Sequence, residues 1–296
     1  MGVDIGGRHT KIGLVDANQE LLAYREILFD MEKSPKDTLC EIAETILDML
    51  EEKKIGIDQC IGVGAGVAGT VQLEEGAVIY SNNIGWERVP AAEILAGLLP
   101  VPVQVANNAD CAALGEAAAG AAKNYQDVLM LTVGRGVGSG IILDGKIFGG
   151  GRTGSGELGH MVIAENGRTC TCGRKGCLEA YVSGSAVRRE TREKLGKEME
   201  LEELFALAES GNPEAQAVTE DYLRKLGIGL TNLTNIFRPQ AIILGGSLAE
   251  AGKSFLRPLR AMVERDCFGG KRTEAPEIEV AALGRRAGVI GAANLL

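Results

Sequence analysis

The sequence has little of what membrane insertion, export or nucleic-acid binding would require. The longest apolar runs are short and are broken by glycine or charge, so no segment is expected to span a bilayer. The start, Met1 to Gly6, has none of the basic and apolar stretch of a signal peptide. A formal net charge of −9 argues against a nucleic-acid surface, which needs clustered lysine and arginine. We therefore expect a cytoplasmic protein that contacts neither membrane nor nucleic acid.

Proline is also scarce, at 8 residues, and no proline- or serine-rich linker divides the chain. Glycine is abundant, at 41 residues, and its clustering indicates backbone turns near ligands rather than a linker. The length of 296 residues and the hydrophobic fraction of 45% allow two domains, each with its own core. Seven cysteines without an export signal should be reduced, so closely spaced ones are better explained as metal ligands than as disulfides.

One pattern occurs twice. Asp4–Gly7 leads to Ile12–Asp16, and Thr132–Arg135 leads to Ile141–Asp144, about half a chain later. Each copy predicts a strand, a glycine-rich turn and a second strand that ends at an aspartate. The repeat suggests two related α/β domains that face each other across a cleft. Chance is the alternative, since glycine-rich hairpins are common, but the matched length and ends favour duplication.

Elsewhere, short buried strands alternate with helices, which predicts α/β layers and mostly parallel strand pairing outside the hairpins. The predicted strands cover residues 60–67, 101–106 and 241–244. The predicted helices cover residues 38–51, 109–122, several segments between 179 and 237, and 287–296, and a loop-rich region covers 149–177. We place the domain boundary near Ala106, so residues 1–106 and 107–286 form the N-terminal and C-terminal domains. The helix over 287–296 is able to pack back onto the first domain.

Cys170, Cys172 and Cys177 bring three thiols into eight residues that also contain two glycines. Thiolates and imidazole suit tetrahedral Zn²⁺, and a closed structural site needs a fourth ligand. His160 is the nearest candidate and one of only two histidines. Three buried cysteines and a core histidine are the alternative, but buried cysteines rarely cluster so tightly in a loop. We therefore predict a structural zinc site. The other cysteines, expected to serve packing, are Cys40, Cys60, Cys111 and Cys267.

Together these motifs resemble the ROK family of bacterial sugar kinases and regulators over essentially the whole chain. The motifs that carry the resemblance are the Asp4–Gly7 opening, Asn83–Trp86, the helix start over Asn107–Glu116, Gly156–His160 and the cysteine-rich run Cys170–Glu179. The resemblance implies the two-domain, actin-like ATPase (ribonuclease H-like) α/β fold with a ligand cleft between the domains. It also implies a homodimer, and Mg²⁺ and ATP as cofactors where kinase activity is present.

The family further implies that zinc orders the loop carrying the sugar-contacting Glu157, His160 and Glu179. A sugar presents hydroxyls that both donate and accept, so its site needs carboxylates, amides and an imidazole on a rigid frame. Asn83 and Asn107 complete this predicted substrate-binding set. Each could instead be a solvated loop residue, or a helix cap in the case of Asn107. Trp86 could equally stack on a sugar or fill a loop core.

Three positions depart from the family pattern. Arg8 stands where the phosphate-cradling opening normally has threonine after Gly6 and Gly7. Arg135 replaces threonine in the second phosphate turn, between Gly134 and Gly136. Asn108 replaces the aspartate that, in the family, deprotonates the sugar hydroxyl.

An amide cannot accept a proton in the working pH range, so Asn108 cannot be a general base. Asp110 could compensate, but residues two apart at a helix start point in different directions. We favour structural roles here: Asp110 as a first-turn carboxylate and Asn108 as the helix N-cap. Asp4, which in the family helps to position Mg²⁺ and phosphate, is present and completes the predicted catalytic set.

The two arginines occupy equivalent turns of the repeated hairpins. Guanidinium groups suit bidentate phosphate or carboxylate binding, so an anion site is the favoured interpretation. Internal pairing with Asp4, Asp16 or Asp144 is the alternative. Gly245 and Gly246 end a buried strand and match the family's adenosine side. A strand that ends in two glycines also serves plain helix–strand packing.

These observations leave three functions open. The first is the family's ATP-dependent phosphorylation of a hexose or N-acetylhexosamine, weakened by Asn108. The second is a non-kinase enzyme that acts on a sugar phosphate or another anionic sugar held by Arg8 and Arg135. The third is a non-catalytic sugar sensor without a DNA-binding domain, because the first strand begins at Met1. In each case the partner is a small-molecule sugar or sugar phosphate.

Overall fold

The computed structural model describes residues 1–150, 154 and 156–296. Within them the chain forms ten α-helices and thirteen strands. The strands are β1 Gly2–Ile5, β2 His9–Val15, β3 Leu21–Leu28, β4 Val63–Val67, β5 Thr70–Gln72, β6 Ala77–Ser81, β7 Trp86–Val89, β8 Val103–Asn107, β9 Val128–Val133, β10 Val137–Leu143, β11 Lys146–Ile147, β12 Ala241–Gly246 and β13 Glu277–Val280. The helices are α1 Pro35–Glu52, α2 Ala91–Leu98, α3 Asn108–Ala119, α4 Glu179–Val182, α5 Gly184–Leu195, α6 Leu201–Glu209, α7 Pro213–Phe237, α8 Ser247–Glu250, α9 Leu256–Asp266 and α10 Ala287–Ala293.

Two compact units divide the chain. The first contains residues 1–126, 140–156 and 285–296, and the second contains residues 127–139 and 157–284. This division by packing differs from the boundary predicted near Ala106, because helix α3 packs with the first unit's sheet and with α10. The C-terminal helix α10 lies in the first unit, as the sequence allowed. The loop-rich region predicted over 149–177 includes residues 151–153 and 155, which lie outside the described residues.

A five-stranded mixed sheet forms the frame of the first unit, in the order β3-β2-β1-β4-β8. The predicted hairpin is confirmed as β1 and β2, which pair antiparallel with Asp4 opposite Lys11. Strands β4 and β8 continue the sheet in parallel with β1, as the alternating pattern predicts. All residues of β1 and β4 are buried, which is typical of strands covered on both faces.

Helix α1 covers one part of this sheet. Ser34 accepts a hydrogen bond from the Asp37 amide and Pro35 follows it, so cap and first-turn proline both favour a helix start. The apolar side chains recur at helical spacing and are buried in the first unit's core. These residues are Leu39, Ile42, Ala43, Ile46, Met49 and Leu50.

Helix α10 brings the chain's end back onto the first unit, where it packs against β1, β4 and α3. The contact with α3 is close enough that a Cβ at Gly291 would lie 1.6 Å from the Cys111 carbonyl oxygen. Only glycine fits at that crossing. Side chains would hold two helix axes about 8–10 Å apart, so a glycine contact permits a closer approach.

The second five-stranded sheet has the order β11-β10-β9-β12-β13. Strand β12 pairs in parallel with both β9 and β13, and five of its six residues are buried, as predicted for residues 241–244. The second predicted hairpin forms neighbouring strands β9 and β10, and the chain passes between the units within β10. No helix in the described part of the chain is both long and apolar enough to cross a membrane.

A third sheet, with the antiparallel order β5-β6-β7, was not predicted from the sequence. Its strands contain three to five residues each, and the apolar alternation over so few positions is weak. This small sheet carries the turn that contains Asn83.

Candidate functional site

The turn of the first hairpin presents Arg8. The Gly6 amide donates to the His9 carbonyl at 3.1 Å, and the Arg8 carbonyl accepts from the Phe29 amide at 3.0 Å, so the backbone is fixed. The Arg8 side chain is exposed, and among the described residues no carboxylate pairs with it. Gly7 lies against Asn83, since a Cβ at Gly7 would be 2.9 Å from the Asn83 carbonyl oxygen.

Asp4 is paired within its own hairpin. The Lys11 ammonium lies 2.7 Å from Asp4 Oδ2, and the Asp4 residue is only 8% exposed. Asp16, the carboxylate at the end of β2, accepts from the backbone amides of Asn18 and Glu20. The alternative that Arg8 pairs with Asp4 or Asp16 is therefore not observed.

The start of helix α3 holds the predicted catalytic segment. Asn107 is the N-cap: its Oδ1 accepts from the Ala109 amide at 2.7 Å and the Asp110 amide at 3.3 Å. Its Nδ2 donates to the Gly69 carbonyl at 2.7 Å. The prediction that Asn108 caps the helix is wrong by one residue, because β8 ends at Asn107 in extended conformation and Asn108 is already helical.

Asn108 is half-buried at the first helical position, whereas Asp110 is 3% exposed. The first-turn position predicted for Asp110 is confirmed. Asp4 lies near this segment. It pairs in the sheet with Gly66, and a Cβ added at Gly66 would be 3.2 Å from Asn108 Cα. The structure thus brings Asp4 and the start of α3 together within the first unit.

Asn83 lies in the turn between β6 and β7, and Trp86 is the first residue of β7. Asn83 is exposed. Trp86 is 2% exposed, and its ring centroid lies 6.3 Å from that of Phe29. Of the two alternatives for Trp86, filling a core is the one observed.

In the second unit, the turn Gly134–Gly136 is held by several backbone contacts. The Gly134 amide donates to the Gly136 carbonyl at 2.9 Å and closes the turn. The Gly184 amide donates to the Gly134 carbonyl at 2.8 Å, and the Ser185 hydroxyl donates to the Arg135 carbonyl at 2.8 Å. The Arg135 side chain is exposed and makes no ion pair with any described residue.

Gly245 and Gly246 end β12 beside this turn. Gly246 has a φ of 67°, and a Cβ on it would lie 2.0 Å from the Val133 carbonyl oxygen. The Ser247 hydroxyl donates to the same carbonyl at 3.1 Å. Close packing alone thus requires glycine at 246, and nucleotide binding there stays a prediction.

The predicted metal ligands converge. His160, Cys170, Cys172 and Cys177 each place one ligand atom within 4.8 Å of the others. Cys170 Sγ lies 3.5 Å from His160 Nδ1, and Cys172 Sγ lies 3.7 Å from Cys177 Sγ. With zinc bond lengths of about 2.3 Å to sulfur and about 2.0 Å to nitrogen, tetrahedral geometry gives edges of about 3.6 and 3.8 Å. The four residues therefore fit a tetrahedral metal ion.

The pKa values of the three thiols shift in different directions. Burial raises the pKa of Cys177 to about 12 and also raises the pKa of Cys170. A hydrogen bond with the Arg174 backbone lowers the pKa of the exposed Cys172. A bound cation would reverse the effect of burial, because it stabilises the thiolate directly.

The sugar-contact candidates of this unit surround the metal loop. Glu157 is exposed and precedes the 3-10 helix Leu158–His160, where the Leu158 amide donates to Ser139 Oγ at 3.0 Å. The His160 Nδ1 faces Cys170, so Nε2 is the nitrogen left for a ligand. Glu179 is only 9% exposed, and its carboxylate accepts from the Val137 amide at 2.9 Å and the Thr171 hydroxyl at 2.6 Å.

Sequence reasoning missed Lys11 and Thr171. The hairpin register could have revealed Lys11, since a two-strand hairpin from Asp4 places it opposite. Thr171 gives no signal beyond its place between two cysteines, and its partner Glu179 is fixed only by the folded loop.

The sequence matches the ROK family over residues 1–296. The chain belongs to the ROK family. It is 32% identical to a glucokinase of Streptomyces coelicolor, and the alignment covers 100% of this chain and 96% of that protein. The resemblance inferred from the motifs is thereby confirmed.

Solved structures of the family superpose over almost the whole chain. A ROK hexokinase from Thermus thermophilus has a TM-score of 0.85 and 32% identity, covering 99% of this chain and 96% of the other. A ROK glucokinase from Streptomyces griseus, in complex with glucose and AMPPNP, has a TM-score of 0.79 and 29% identity, covering 99% and 97%. The predicted two-domain, actin-like α/β fold is therefore confirmed.

Proposed function

We propose that this ROK chain binds a hexose or N-acetylhexosamine and phosphorylates it slowly with ATP and Mg²⁺. The observation that carries the proposal is the convergence of His160 and three cysteines on one tetrahedral arrangement. The arrangement supports a fixed loop from which His160 and Glu157 can contact a sugar. Relatives described as glucokinases, matched over nearly their full length, support the reaction class.

The metal of the proposal is zinc in a structural role. Three thiolates and one imidazole are the donor set that Zn²⁺ prefers, and four protein ligands leave no open position for catalysis. When bound, the ion would fix the loop between residues 157 and 179 and neutralise the thiolates. Such thiols need a reducing compartment, so the cytoplasm is part of the proposal.

On the sugar side, His160 Nε2 would donate to a hydroxyl while Nδ1 faces the metal. The exposed carboxylate of Glu157 would accept from neighbouring hydroxyls. Asn83 is an exposed amide suited to the same role. Asn107 stays in the proposed set, because its Nδ2 donates one hydrogen bond to the Gly69 carbonyl and keeps a second N–H for a sugar hydroxyl.

The transfer step is proposed to be slow because the expected base is absent. Asn108 cannot take the proton of a sugar hydroxyl, and Asp110 is almost wholly buried in the first turn of α3. General-base catalysis is worth about 10²–10⁴-fold, so positioning and Mg²⁺ would have to supply the remaining acceleration.

ADP release over a panel of hexoses and N-acetylhexosamines tests this proposal in the wild type and in Asn108→Asp. The variant restores the missing base, so we expect its kcat to rise by about 10²–10⁴-fold for the same sugar. Asp110→Asn is the control for a displaced base. If Asp110 acts as the base in the wild type, this variant should lose turnover. No ADP release from either wild type or Asn108→Asp would rule out the kinase.

A second candidate is an enzyme or sensor that binds an anionic sugar such as a sugar 6-phosphate. The exposed side chains of Arg8 and Arg135, which have no ion-pair partner among the described residues, favour it. Thermal-shift measurements with ATP, free sugars and sugar 6-phosphates separate the candidates. Stabilisation by sugar phosphates that is lost in Arg8→Thr and Arg135→Thr would support the second candidate, whereas stabilisation by ATP alone would contradict it.

The homodimer expected from the family resemblance is also part of the proposal. Light scattering coupled to size-exclusion chromatography measures it directly, and a single species near the monomer mass of 31.1 kDa would contradict it.

A further inference from the structure

One carboxylate joins the metal-binding loop to the turn that carries Arg135. Glu179 Oε2 accepts from the Val137 amide at 2.9 Å, directly after the turn Gly134–Gly136. Glu179 Oε1 accepts from the Thr171 hydroxyl at 2.6 Å, between two of the metal-binding cysteines. We propose that Glu179 is a positioning residue that couples the metal-binding loop to the Gly134–Gly136 turn, with Thr171 as the loop's point of contact.

The fit around the turn supports this role. A Cβ at Gly136 would lie 2.5 Å from Glu179 Oε2, so only glycine lets the carboxylate reach the Val137 amide. A Cβ at Gly134 would meet nothing within 4 Å. The two glycines of the turn therefore have different requirements, and only the one at 136 serves the Glu179 contact.

The other contacts of the turn do not replace this one. Gly184 and Ser185 hold the carbonyl oxygens of Gly134 and Arg135 from the start of helix α5. Val137 is the first residue of β10, and its amide donates to Glu179. Without the carboxylate, that buried amide would lose its acceptor, which favours movement of the turn.

The metal side depends on Thr171 in particular. Cys170 Sγ also lies 3.5 Å from Glu179 Oε1, but sulfur is a weak donor and the Thr171 hydroxyl is much closer, at 2.6 Å. The hydroxyl of Thr171 is therefore the main donor on this side of the carboxylate. The backbone of Thr171 is in turn fixed by the two cysteines that flank it.

This inference rests on the metal-binding loop of the proposed function but not on any turnover, so its test reads structure. Hydrogen–deuterium exchange of the full chain, resolved by mass spectrometry, follows peptides from 134–139 and 170–179 together with metal content. Each variant changes one of the two coupled segments, and its effect on exchange is measured in the other segment. Thr171→Val removes the hydroxyl at similar size, and Gly136→Ala displaces the carboxylate.

We expect Thr171→Val to speed exchange of the Val137 amide by roughly fivefold, the equivalent of one ordinary hydrogen bond. Thr171→Ser should restore the wild-type rate, since it keeps the hydroxyl. Gly136→Ala should speed exchange in 170–179, and Gly134→Ala should not. Metal content in Thr171→Val should equal that of the wild type, because all four ligands remain.

The proposal is overturned if each variant alters exchange only around its own position. It is also overturned if Thr171→Ser behaves as Thr171→Val does, because the effect would then arise from packing rather than from the hydroxyl. Peptides from strand β4, in the first unit, should exchange at the wild-type rate throughout and report any global loss of stability. Absence of kinase activity leaves all these readings intact.

Discussion

The ammonium nitrogen of Lys11 lies 2.7 Å from a carboxylate oxygen of Asp4, and the two residues face each other across the first hairpin. Both side chains are largely shielded, at 19% and 11% exposure. The family resemblance predicts that Asp4 helps to position Mg²⁺ and phosphate. In the structure, this carboxylate already has a cationic partner, the Lys11 ammonium of the neighbouring strand. Any phosphate-bound metal ion at Asp4 would have to share or displace that contact.

Replacement of Lys11 tests whether this pair stabilises the fold. Lys11→Met keeps the length of the side chain but leaves a shielded carboxylate without its charged partner. We expect the free energy of unfolding to fall by roughly 1–3 kcal/mol, the usual cost of an unsatisfied buried polar group. Urea titration followed by circular dichroism measures it.

The double variant Asp4→Asn/Lys11→Met distinguishes pairing from general damage. Removal of the charge at Asp4 should recover part of the loss, because no uncompensated carboxylate then remains. If the loss in the double variant equals the sum of the losses in Asp4→Asn and Lys11→Met, the two residues do not interact.

Removal of the metal tests the ligand set. We expect one zinc per chain in the purified protein, and chelation should lower its melting temperature, since a bound metal stabilises only the folded state. Cys172→Ser should lose the metal. Cys40→Ser, which changes a cysteine of helix α1 outside the cluster, should keep it. Retention of a full zinc equivalent in Cys172→Ser would exclude this ligand set.

The N-cap of helix α3 gives a third prediction. Asn107→Ala removes both the cap and the bond to Gly69, and should cost about 1–2 kcal/mol of unfolding free energy. Asn107→Asp keeps the capping acceptor but loses the donor, so its loss should be smaller. Thermal unfolding of the two variants compares them. If Asn107→Asp is as unstable as Asn107→Ala, the cap is not the main contribution.

Local patterns were the part of this fold that the sequence predicted well. The glycine-rich hairpins, helix α1 and the cysteine cluster all follow from residues near one another in the chain, where periodicity and spacing carry the information. The sequence offered both Asn107 and Asn108 as the cap of helix α3, because asparagine favours that position, and only the end of β8 decides between them.

Long-range contacts could not be predicted in the same way. Trp86 could have bound a sugar, and only its packing on Phe29 identifies it as a core residue. Gly246 has a sequence environment typical of a nucleotide turn, yet the nearby Val133 carbonyl alone explains the glycine. The contact of Glu179 with Val137 joins residues 42 positions apart, and no local pattern encodes it.

The last prediction concerns the crossing of helices α3 and α10, where Gly291 lies, and uses Gly97 of helix α2 as a control. The change of glycine to alanine should have opposite effects on stability at these two positions. Gly291→Ala would place a Cβ 1.6 Å from the Cys111 carbonyl, so the helices must separate. We expect a loss of roughly 1–3 kcal/mol in unfolding free energy, as for other overpacked cores. Gly97 in helix α2 is exposed, and a Cβ there would meet nothing within 4 Å.

Gly97→Ala should therefore stabilise the protein by up to about 1 kcal/mol, the usual difference between alanine and glycine within a helix. The denaturant midpoints of both variants measure the two changes in stability, provided that the slopes of the unfolding free energy against denaturant are equal. A Gly291→Ala protein as stable as the wild type would mean that α10 does not pack on α3 as described.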